Sequence, residues 1–262
     1  CFSGGPLLRE GLEVEAAGVP FAIDRGEASV RPVQSERLSG VIGIVDGDAV
    51  DRSNLQRQVL FDENDIGQPK TTAAANHLQA LNPHIEMELH PVFLTRDNAI
   101  DIIRSYDVVA DGSDNFATRY LVSDACYLAK RPLAYATLGA FDGYVSLFKP
   151  YEKTADGTPY PTLRCLFPEA PPAGLVANCA EAGVLGPVAG VIGTLQAAEI
   201  VKEIIGIGES LAGRLLICDV LASRFEVVSI SWDPDNPLSG QTPTITDLSI
   251  HGSADGSACA AE

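Results

Sequence analysis

Short runs with the length of β-strands alternate with longer helix-forming segments along most of the chain. The runs predict strands at residues 41–45, 85–92, 107–111 and 132–137. The segments between them predict helices at residues 71–81, 97–104 and 115–128. Because strands and helices alternate, the sequence predicts crossover connections between parallel strands.

The second half of the chain adds antiparallel structure. A strand predicted at 143–148 follows its predecessor so closely that it indicates an antiparallel addition to the sheet. Residues 150–183 are rich in proline and glycine and too long for an ordinary connection, which usually marks a functional loop. A long apolar helix at 186–205 precedes strands at 215–219 and 225–230. The predicted fold is α/β: a Rossmann-like doubly wound, mainly parallel sheet with antiparallel additions at the C-terminal side.

Acidic residues follow two of the predicted strands. Asp46 and Asp48 close the first, and Asp111 and Asp114 close the third. Ligands of doubly wound sheets bind beyond the carboxyl ends of the strands, so these four carboxylates are expected to face one crevice. Asp46 is placed to accept hydrogen bonds from a ribose hydroxyl, although a strand-ending aspartate is as often a simple turn residue.

Two basic side chains are placed for binding an anion. Asn54 and Arg57 lie three residues apart, on one face of a helical turn, where they could together grip phosphate oxygens. Standing alone, such a motif is more often a solvated helix start. Lys70 falls in the first turn of a predicted helix, where the positive end of the helix dipole disfavours a cation and favours an anion.

Asp114 lies in a strand–turn–helix segment with the sequence DGSDN. It could cap the following helix, or it could hold Mg²⁺ against a triphosphate. The metal is expected because nucleotide phosphates and carboxylates in one crevice repel each other unless a cation screens them.

Composition narrows the possible partners. A formal net charge of −17 disfavours binding to nucleic acid or to an anionic membrane. The longest uncharged stretch, residues 182–198, falls short of a convincing membrane span. Six cysteines are scattered over a chain too large to need disulfides, which is typical of a reducing cytoplasm. We therefore expect a cytoplasmic protein with no nucleic-acid or membrane partner.

Taken in order, these motifs resemble the MoeB/ThiF/HesA family of adenylyltransferases, which are similar to ubiquitin-activating enzymes. The resemblance covers about residues 40–250, leans towards the MoeB-type molybdopterin-synthase adenylyltransferases, and is most specific in the NLQRQ and CAEAGV segments. The matching text is DGDAVDRSNLQRQ (46–58), GQPK (67–70), LNPH (81–84), DGSDN (111–115), CAEAGVLGP (179–187) and NPLSGQTPTITDL (236–248).

The resemblance implies ATP-dependent activation of the C-terminal glycine carboxylate of a ubiquitin-like sulfur-carrier protein, MoaD- or ThiS-like, as an acyl-adenylate. The product would serve molybdopterin or thiamine sulfur transfer. By the resemblance, Asp46 binds the ribose, Asp114 binds Mg²⁺, and Asp48 lies near the reacting centre. The phosphates would be bound by Asn54, Arg57 and Lys70. A homodimer and a separate sulfur donor are also expected.

Cys179 is the cysteine that the resemblance singles out. In the family, a cysteine here attacks the acyl-adenylate or carries sulfur in some members and is dispensable in others. A thiol close to a helix N-terminus is more acidic and more nucleophilic. The alternative is a structural cysteine.

The sequence departs from the family at a zinc site. Family members often hold a structural Zn²⁺ with two Cys-x-x-Cys pairs. Here the four positions are occupied by Thr162, Cys165, Asn236 and Ser239. One thiolate cannot form a tetrahedral site that needs four ligands, so no zinc is predicted.

A second departure concerns residues 1–39, an atypical N-terminal segment. The family places a strand, a Gly-x-Gly-Gly-x-Gly loop and a helix there, and residues 1–39 contain no such loop. Without it the triphosphate would lose its cradle of backbone N–H groups, and the sheet could lose its central strand. The adenylation domain is predicted at residues 40–250 and a flexible tail at 251–262.

Two other functional classes stay open at this stage. A catalytically impaired relative, which dimerises and binds the carrier without adenylating it, would account for the missing glycine loop. An NAD-dependent oxidoreductase would share only the strand that ends in Asp46. It would lack a glycine fingerprint and leave the NLQRQ and CAEAGV segments unexplained.

Overall fold

The computed structural model describes residues 21–24, 40–170 and 183–252. Eight strands in these ranges are β1 Phe21–Asp24, β2 Val41–Val45, β3 Glu86–His90, β4 Val108–Asp111, β5 Leu133–Leu138, β6 Asp142–Phe148, β7 Arg214–Asp219 and β8 Arg224–Ser229. The helices are α1 Lys70–Leu81, α2 Ala99–Arg104, α3 Phe116–Ala129, the single turn α4 Leu163–Leu166 and α5 Gly186–Ile205, with a 3₁₀ helix at Arg52–Asn54.

All eight strands form one sheet in the order β3-β2-β1-β4-β5-β6-β7-β8. The pairs β2–β3 and β4–β5 are parallel, and β5 to β8 form an antiparallel succession. Every strand and helix predicted between residues 41 and 230 is present, with bounds that are the same or differ by a few residues. The predicted fold class is confirmed, including the antiparallel addition of β6 to β5.

Helices cover both faces of the sheet. Alternate residues of β4 point to opposite faces, as the pleat requires: Val108 and Ala110 pack in one core cluster and Val109 in another. The first cluster contains residues of α1 and α5, and the second contains residues of α2 and α3. This is the doubly wound arrangement that strand–helix alternation predicts.

The third of the eight positions in the sheet is occupied by β1. This strand lies between β2 and β4 and is antiparallel to both, with Phe21 opposite Ile44 and Ala110. The sheet therefore has a strand between β2 and β4. β1 runs against its neighbours, so it ends at Asp24 opposite Val41, at the edge where β2 begins.

Local signals set the helix ends. α5 has a proline in its first turn and ends at Gly206, whose φ of 66° is a left-handed conformation that glycine adopts without strain. Asn115 caps α3, and its side chain accepts a hydrogen bond from the Thr118 N–H. None of the helices in the described part of the chain is long and apolar enough to cross a membrane.

Candidate active site at the carboxyl edge of the sheet

The carboxyl ends of β2 and β4 are level with each other. Phe21 lies opposite both Ile44 of β2 and Ala110 of β4. Neighbouring strands lie about 4.8 Å apart, so these two strand ends are separated by roughly 10 Å across β1. Asp46 follows β2 directly and Asp111 is the last residue of β4, which places both residues at the same edge of the sheet. The Asp111 side chain is completely buried, so it does not face an open crevice as predicted.

Three of the predicted site residues, Asp46, Asp48 and Lys70, are in direct contact. Lys70 Nζ lies 3.6 Å from Asp46 Oδ2 and 3.1 Å from Asp48 Oδ2. The Lys70 backbone N–H donates to the Asp48 carbonyl at 2.9 Å, and the Asp48 N–H donates to Asp46 Oδ1 at 2.7 Å. The ammonium at the start of α1 is thus shared between two carboxylates, and its side chain is only 10% exposed.

Burial affects the pKa of Asp46. Removal from water is the largest effect and raises the pKa of the Asp46 carboxyl above its usual value. Lys70 and the Asp48 N–H oppose this rise because both stabilise the carboxylate. Lys70 therefore favours the ionised form of Asp46, and the two side chains form an ion pair.

Asn54 and Arg57 lie on the segment that follows this pair. A capping box opens the 3₁₀ helix, with the Asp51 N–H donating to Asn54 Oδ1 at 3.0 Å. Arg57 Nη1 donates to the Ser53 carbonyl at 3.0 Å. The predicted helical turn is therefore present as a short 3₁₀ helix continued by turns.

This segment reaches the start of α5. A Cβ atom at Gly186 would clash with the Gln56 carbonyl oxygen, so only glycine permits the approach. The N–H of Leu185 donates to the carbonyl of Ala140, in the turn after β5, at 3.2 Å. Arg57 therefore lies at the carboxyl edge too. Cys179, which precedes α5 in the sequence, lies outside the described residues.

Asp114 projects from the turn between β4 and α3. The cap of α3 is Asn115, so the alternative that Asp114 caps this helix is wrong. Asp114 is exposed, and among the described residues no group donates a hydrogen bond to its carboxylate. A carboxylate oxygen in this position is a suitable ligand for Mg²⁺.

Sequence reasoning missed Arg119, one turn further along α3. The guanidinium is buried and donates from Nε and Nη2 to the Ser113 carbonyl at 3.1 and 2.9 Å. It lies close enough to the fully buried Asp111 to oppose the effect of burial, which raises the pKa of that carboxyl. The sequence signal that could have identified Arg119 was an arginine four residues after the DGSDN segment, which begins at the end of a predicted strand.

No hydrogen bond or ion pair joins Arg57, Lys70 and Asp114 to one another in the part of the chain that the structure describes. They lie at one edge of the sheet, on three different segments. That these three side chains together bind a triphosphate stays a prediction.

The four positions of the family's zinc site do come together, as a hydrogen-bonded cluster. Asn236 Nδ2 donates to Thr162 Oγ1 at 2.8 Å and to Cys165 Sγ at 3.0 Å. Asn236 Oδ1 accepts from the N–H of Ser239 at 3.0 Å. The donor set contains one sulfur, an amide and two hydroxyls, which do not fit a structural Zn²⁺.

A buried ion pair anchors the start of the long loop. Asp124, fully buried in α3, accepts from Arg164 Nε at 2.9 Å and from Nη2 at 2.7 Å. His251 Nε2 lies 2.9 Å from the same carboxylate, and the Arg164 guanidinium lies 4.9 Å from the centre of the Tyr120 ring. Sequence reasoning did not identify these residues.

Comparison with known proteins identifies related chains. Residues 38–238 match the ThiF family. The "Sulfur carrier protein adenylyltransferase" of Thermus thermophilus is 47% identical over 209 residues, covering 80% of this chain and 76% of the relative. The "Probable adenylyltransferase/sulfurtransferase MoeZ" of Mycobacterium tuberculosis is 44% identical over 209 residues, covering 80% of this chain and 51% of the relative. The chain thus spans about half the length of MoeZ.

A solved structure shares the fold. The crystal structure of E. coli MccB with MccA-N7isoASN superposes with a TM-score of 0.64 at 20% sequence identity. The match covers 76% of this chain and 60% of the MccB chain. At this identity the likeness concerns the fold alone.

Proposed function

The chain belongs to the ThiF family, and from this premise we propose that it adenylates the C-terminal glycine carboxylate of a ubiquitin-like sulfur-carrier protein, MoaD- or ThiS-like, with ATP. The observation that carries the proposal is the placement of the Asp46–Asp48–Lys70 cluster level with the DGSDN turn at one sheet edge. The name of the Thermus relative, a sulfur carrier protein adenylyltransferase, supports the same substrate class.

The reaction needs little covalent chemistry from the protein. A carboxylate oxygen of the carrier attacks the α-phosphorus of ATP, the bond from that phosphorus to the β-phosphate oxygen breaks, and pyrophosphate leaves. Positioning and neutralisation of charge supply most of the acceleration. We assign neutralisation to Arg57 and Lys70, contact with the phosphates also to Asn54, and ribose binding to Asp46.

The residues present fit Mg²⁺ and do not fit zinc. Asp114 offers an exposed carboxylate at the edge where the triphosphate would lie, and a bound Mg²⁺ would screen the phosphates from the acidic crevice. Asp48, 55% exposed and joined to Lys70, would lie near the reacting centre. The Thr162–Cys165–Asn236–Ser239 cluster supports a chain that carries no structural zinc.

The proposal extends to partners and compartment. We infer a homodimer and a separate sulfur donor, as the resemblance implies, acting in the molybdopterin or the thiamine pathway. The three cysteines of the described residues, Cys126, Cys165 and Cys218, are free thiols, which supports a reducing cytoplasm.

Isotope exchange between pyrophosphate and ATP tests the function. The purified chain is mixed with labelled pyrophosphate, ATP, Mg²⁺ and a carrier protein that ends in Gly-Gly, and a carrier without its last glycine serves as the control. Label is expected in ATP only with the complete carrier. No exchange at saturating ATP would instead support the catalytically impaired relative, an alternative that the names of the relatives do not favour.

Replacing Cys179 by alanine is expected to leave this exchange within about twofold of the wild-type rate. A twofold change corresponds to less than about 0.5 kcal/mol in the activation free energy. The reason is that a thiol attacks the acyl-adenylate only after it has formed. Cys218→Ser, at a buried thiol, reports any effect of cysteine substitution on folding. A strong loss of exchange in the Cys179 variant alone would place this residue in the first step.

A further inference from the structure

Hydrogen bonds hold Ser113, the residue before Asp114, in place. The Ser113 N–H donates to Asp111 Oδ1 at 2.9 Å, and the Ser113 carbonyl accepts two hydrogen bonds from Arg119. Both polar groups of the Ser113 backbone are thus held by buried, charged side chains. Asp111 is completely buried and Arg119 is 8% exposed, so solvent cannot easily replace either contact.

A hydrogen bond also holds Asn115, the residue after Asp114, in place. Asn115 Oδ1 accepts from the Thr118 N–H at 2.8 Å and so ties the next residue to the first turn of α3. Asp114 lies between two immobilised neighbours, and its own carboxylate is exposed. This is the arrangement expected where a backbone is preorganised to present one side chain to a ligand.

Arg119 links the turn to the rest of the carboxyl edge. Its Nη1 donates to Thr137 Oγ1 in β5, and its guanidinium lies 5.7 Å from the centre of the Phe116 ring. One guanidinium therefore connects the end of β5, the start of α3 and the turn after β4. Asp111 Oδ2 has no hydrogen-bond partner among the described residues, so the nearby positive charge of Arg119 is its main compensation.

We propose that Arg119 is a positioning residue for the metal–nucleotide complex: it acts through the Ser113 carbonyl to hold Asp114 where Asp114 can bind the Mg²⁺ of Mg–ATP. The inference rests on the proposed function, since it assigns Asp114 to that metal. It adds a residue that the sequence motifs do not contain and gives it a purely indirect role.

The geometry requires arginine at this position. Two parallel donors reach one carbonyl while a third reaches Thr137, and this fork is a property of the planar guanidinium. Lysine would preserve the positive charge beside Asp111, but its single ammonium cannot reproduce the three contacts. Arg119→Lys therefore separates the loss of geometry from the loss of charge.

Direct metal binding tests the inference. Mn²⁺ replaces Mg²⁺ as the probe, and electron paramagnetic resonance measures free Mn²⁺ during titration of the full chain with a non-hydrolysable ATP analogue present. Substitution of a group that supports a metal ligand typically weakens metal affinity about 10–100-fold, and a loss of that order is expected for Arg119→Lys. Arg131→Lys is the matched control, because Arg131 also donates to a backbone carbonyl, that of Arg104, at the other end of α3.

A double-mutant cycle shows whether Arg119 acts through Asp114. The effect of Arg119→Lys is expected to disappear in an Asp114→Asn background, because a residue that only positions the carboxylate has nothing left to position. A merely structural role would instead lower the fraction of active protein equally in both backgrounds without changing the Mn²⁺ affinity of that fraction. If Arg119→Lys does not fold, Thr137→Val removes one of the three contacts at nearly constant volume and takes its place.

The outcomes are distinct. If the wild-type chain binds Mn²⁺ with the nucleotide analogue and Arg119→Lys binds it equally well, the positioning role is wrong and the proposed function stands. If the wild-type chain does not bind Mn²⁺ with the analogue at all, the proposed function fails and the inference fails with it. Weaker binding that persists unchanged in the Asp114→Asn background also overturns the inference.

Discussion

Carrier-dependent pyrophosphate exchange is expected to fall by about 100-fold or more when either Arg57 or Asp114 is replaced by alanine, the scale seen when a group that stabilises transition-state charge is removed. Arg57 supplies a permanent positive charge that is not paired with a carboxylate among the described residues. Asp114 would hold the metal that screens the triphosphate from Asp46, Asp48 and Asp111. Each substitution removes charge neutralisation that Lys70 does not replace, because Lys70 is already paired with Asp46 and Asp48.

The two substitutions are informative because neither is expected to disturb the fold. Asp114 is exposed, and the cap of α3 is provided by Asn115. The Arg57 side chain makes one hydrogen bond within the part of the chain that the structure describes, to the Ser53 carbonyl. Arg52→Ala, on the same segment, and Asp97→Ala, at another exposed aspartate, are the matched controls and should retain wild-type exchange. Wild-type rates from Asp114→Ala at every Mg²⁺ concentration would show that the metal assignment is wrong.

Arg164→Ala is expected to lower the free energy of unfolding by about 3–5 kcal/mol, because it leaves the fully buried Asp124 carboxylate without its bidentate partner. Such a loss is a large part of the stability of a typical domain. His251 cannot replace Arg164, since it contacts only one of the two carboxylate oxygens. Urea denaturation followed by circular dichroism measures the change.

The matched control is another arginine in an ion pair, but on the surface. Arg52 and Glu63 lie 2.7 Å apart with side chains 73% and 62% exposed, so Arg52→Ala should cost at most about 1 kcal/mol. The same variant thus serves as the control for activity and for stability. Equal, small losses from both arginine substitutions would contradict the burial of the Asp124–Arg164 pair.

The sequence determined the elements whose signals are local. The bounds of α5 agree with the prediction because a proline in its first turn and Gly206 after its last mark both ends. The local sequence also identified Asp46, Asp48 and Lys70, because strand ends and helix starts can be predicted from neighbouring residues. It identified the motifs that resemble the ThiF family too, since each is a short continuous segment.

The local sequence did not predict the ion pairs that Lys70 forms. The sequence predicted a cation free to bind an anion, and the structure pairs it with two carboxylates. The Lys70–Asp48 contact joins residues 22 positions apart, brought together because α1 begins beside the end of β2. The charge of Lys70 is therefore balanced by carboxylates of the chain itself.

The tertiary structure alone decided what depends on distant partners. β1 lacks a periodic pattern around it and becomes a strand because β2 and β4 offer unpaired backbone groups on both sides. The Asp124–Arg164 pair spans 40 positions and the Asp124–His251 contact 127, separations at which residue type and spacing no longer indicate contact. Arg119 became recognisable as part of the site only once the Ser113 carbonyl and Thr137 were seen to converge on it. Local propensity and short motifs depend on neighbouring residues, whereas burial and charge pairing arise from the packing of the whole chain.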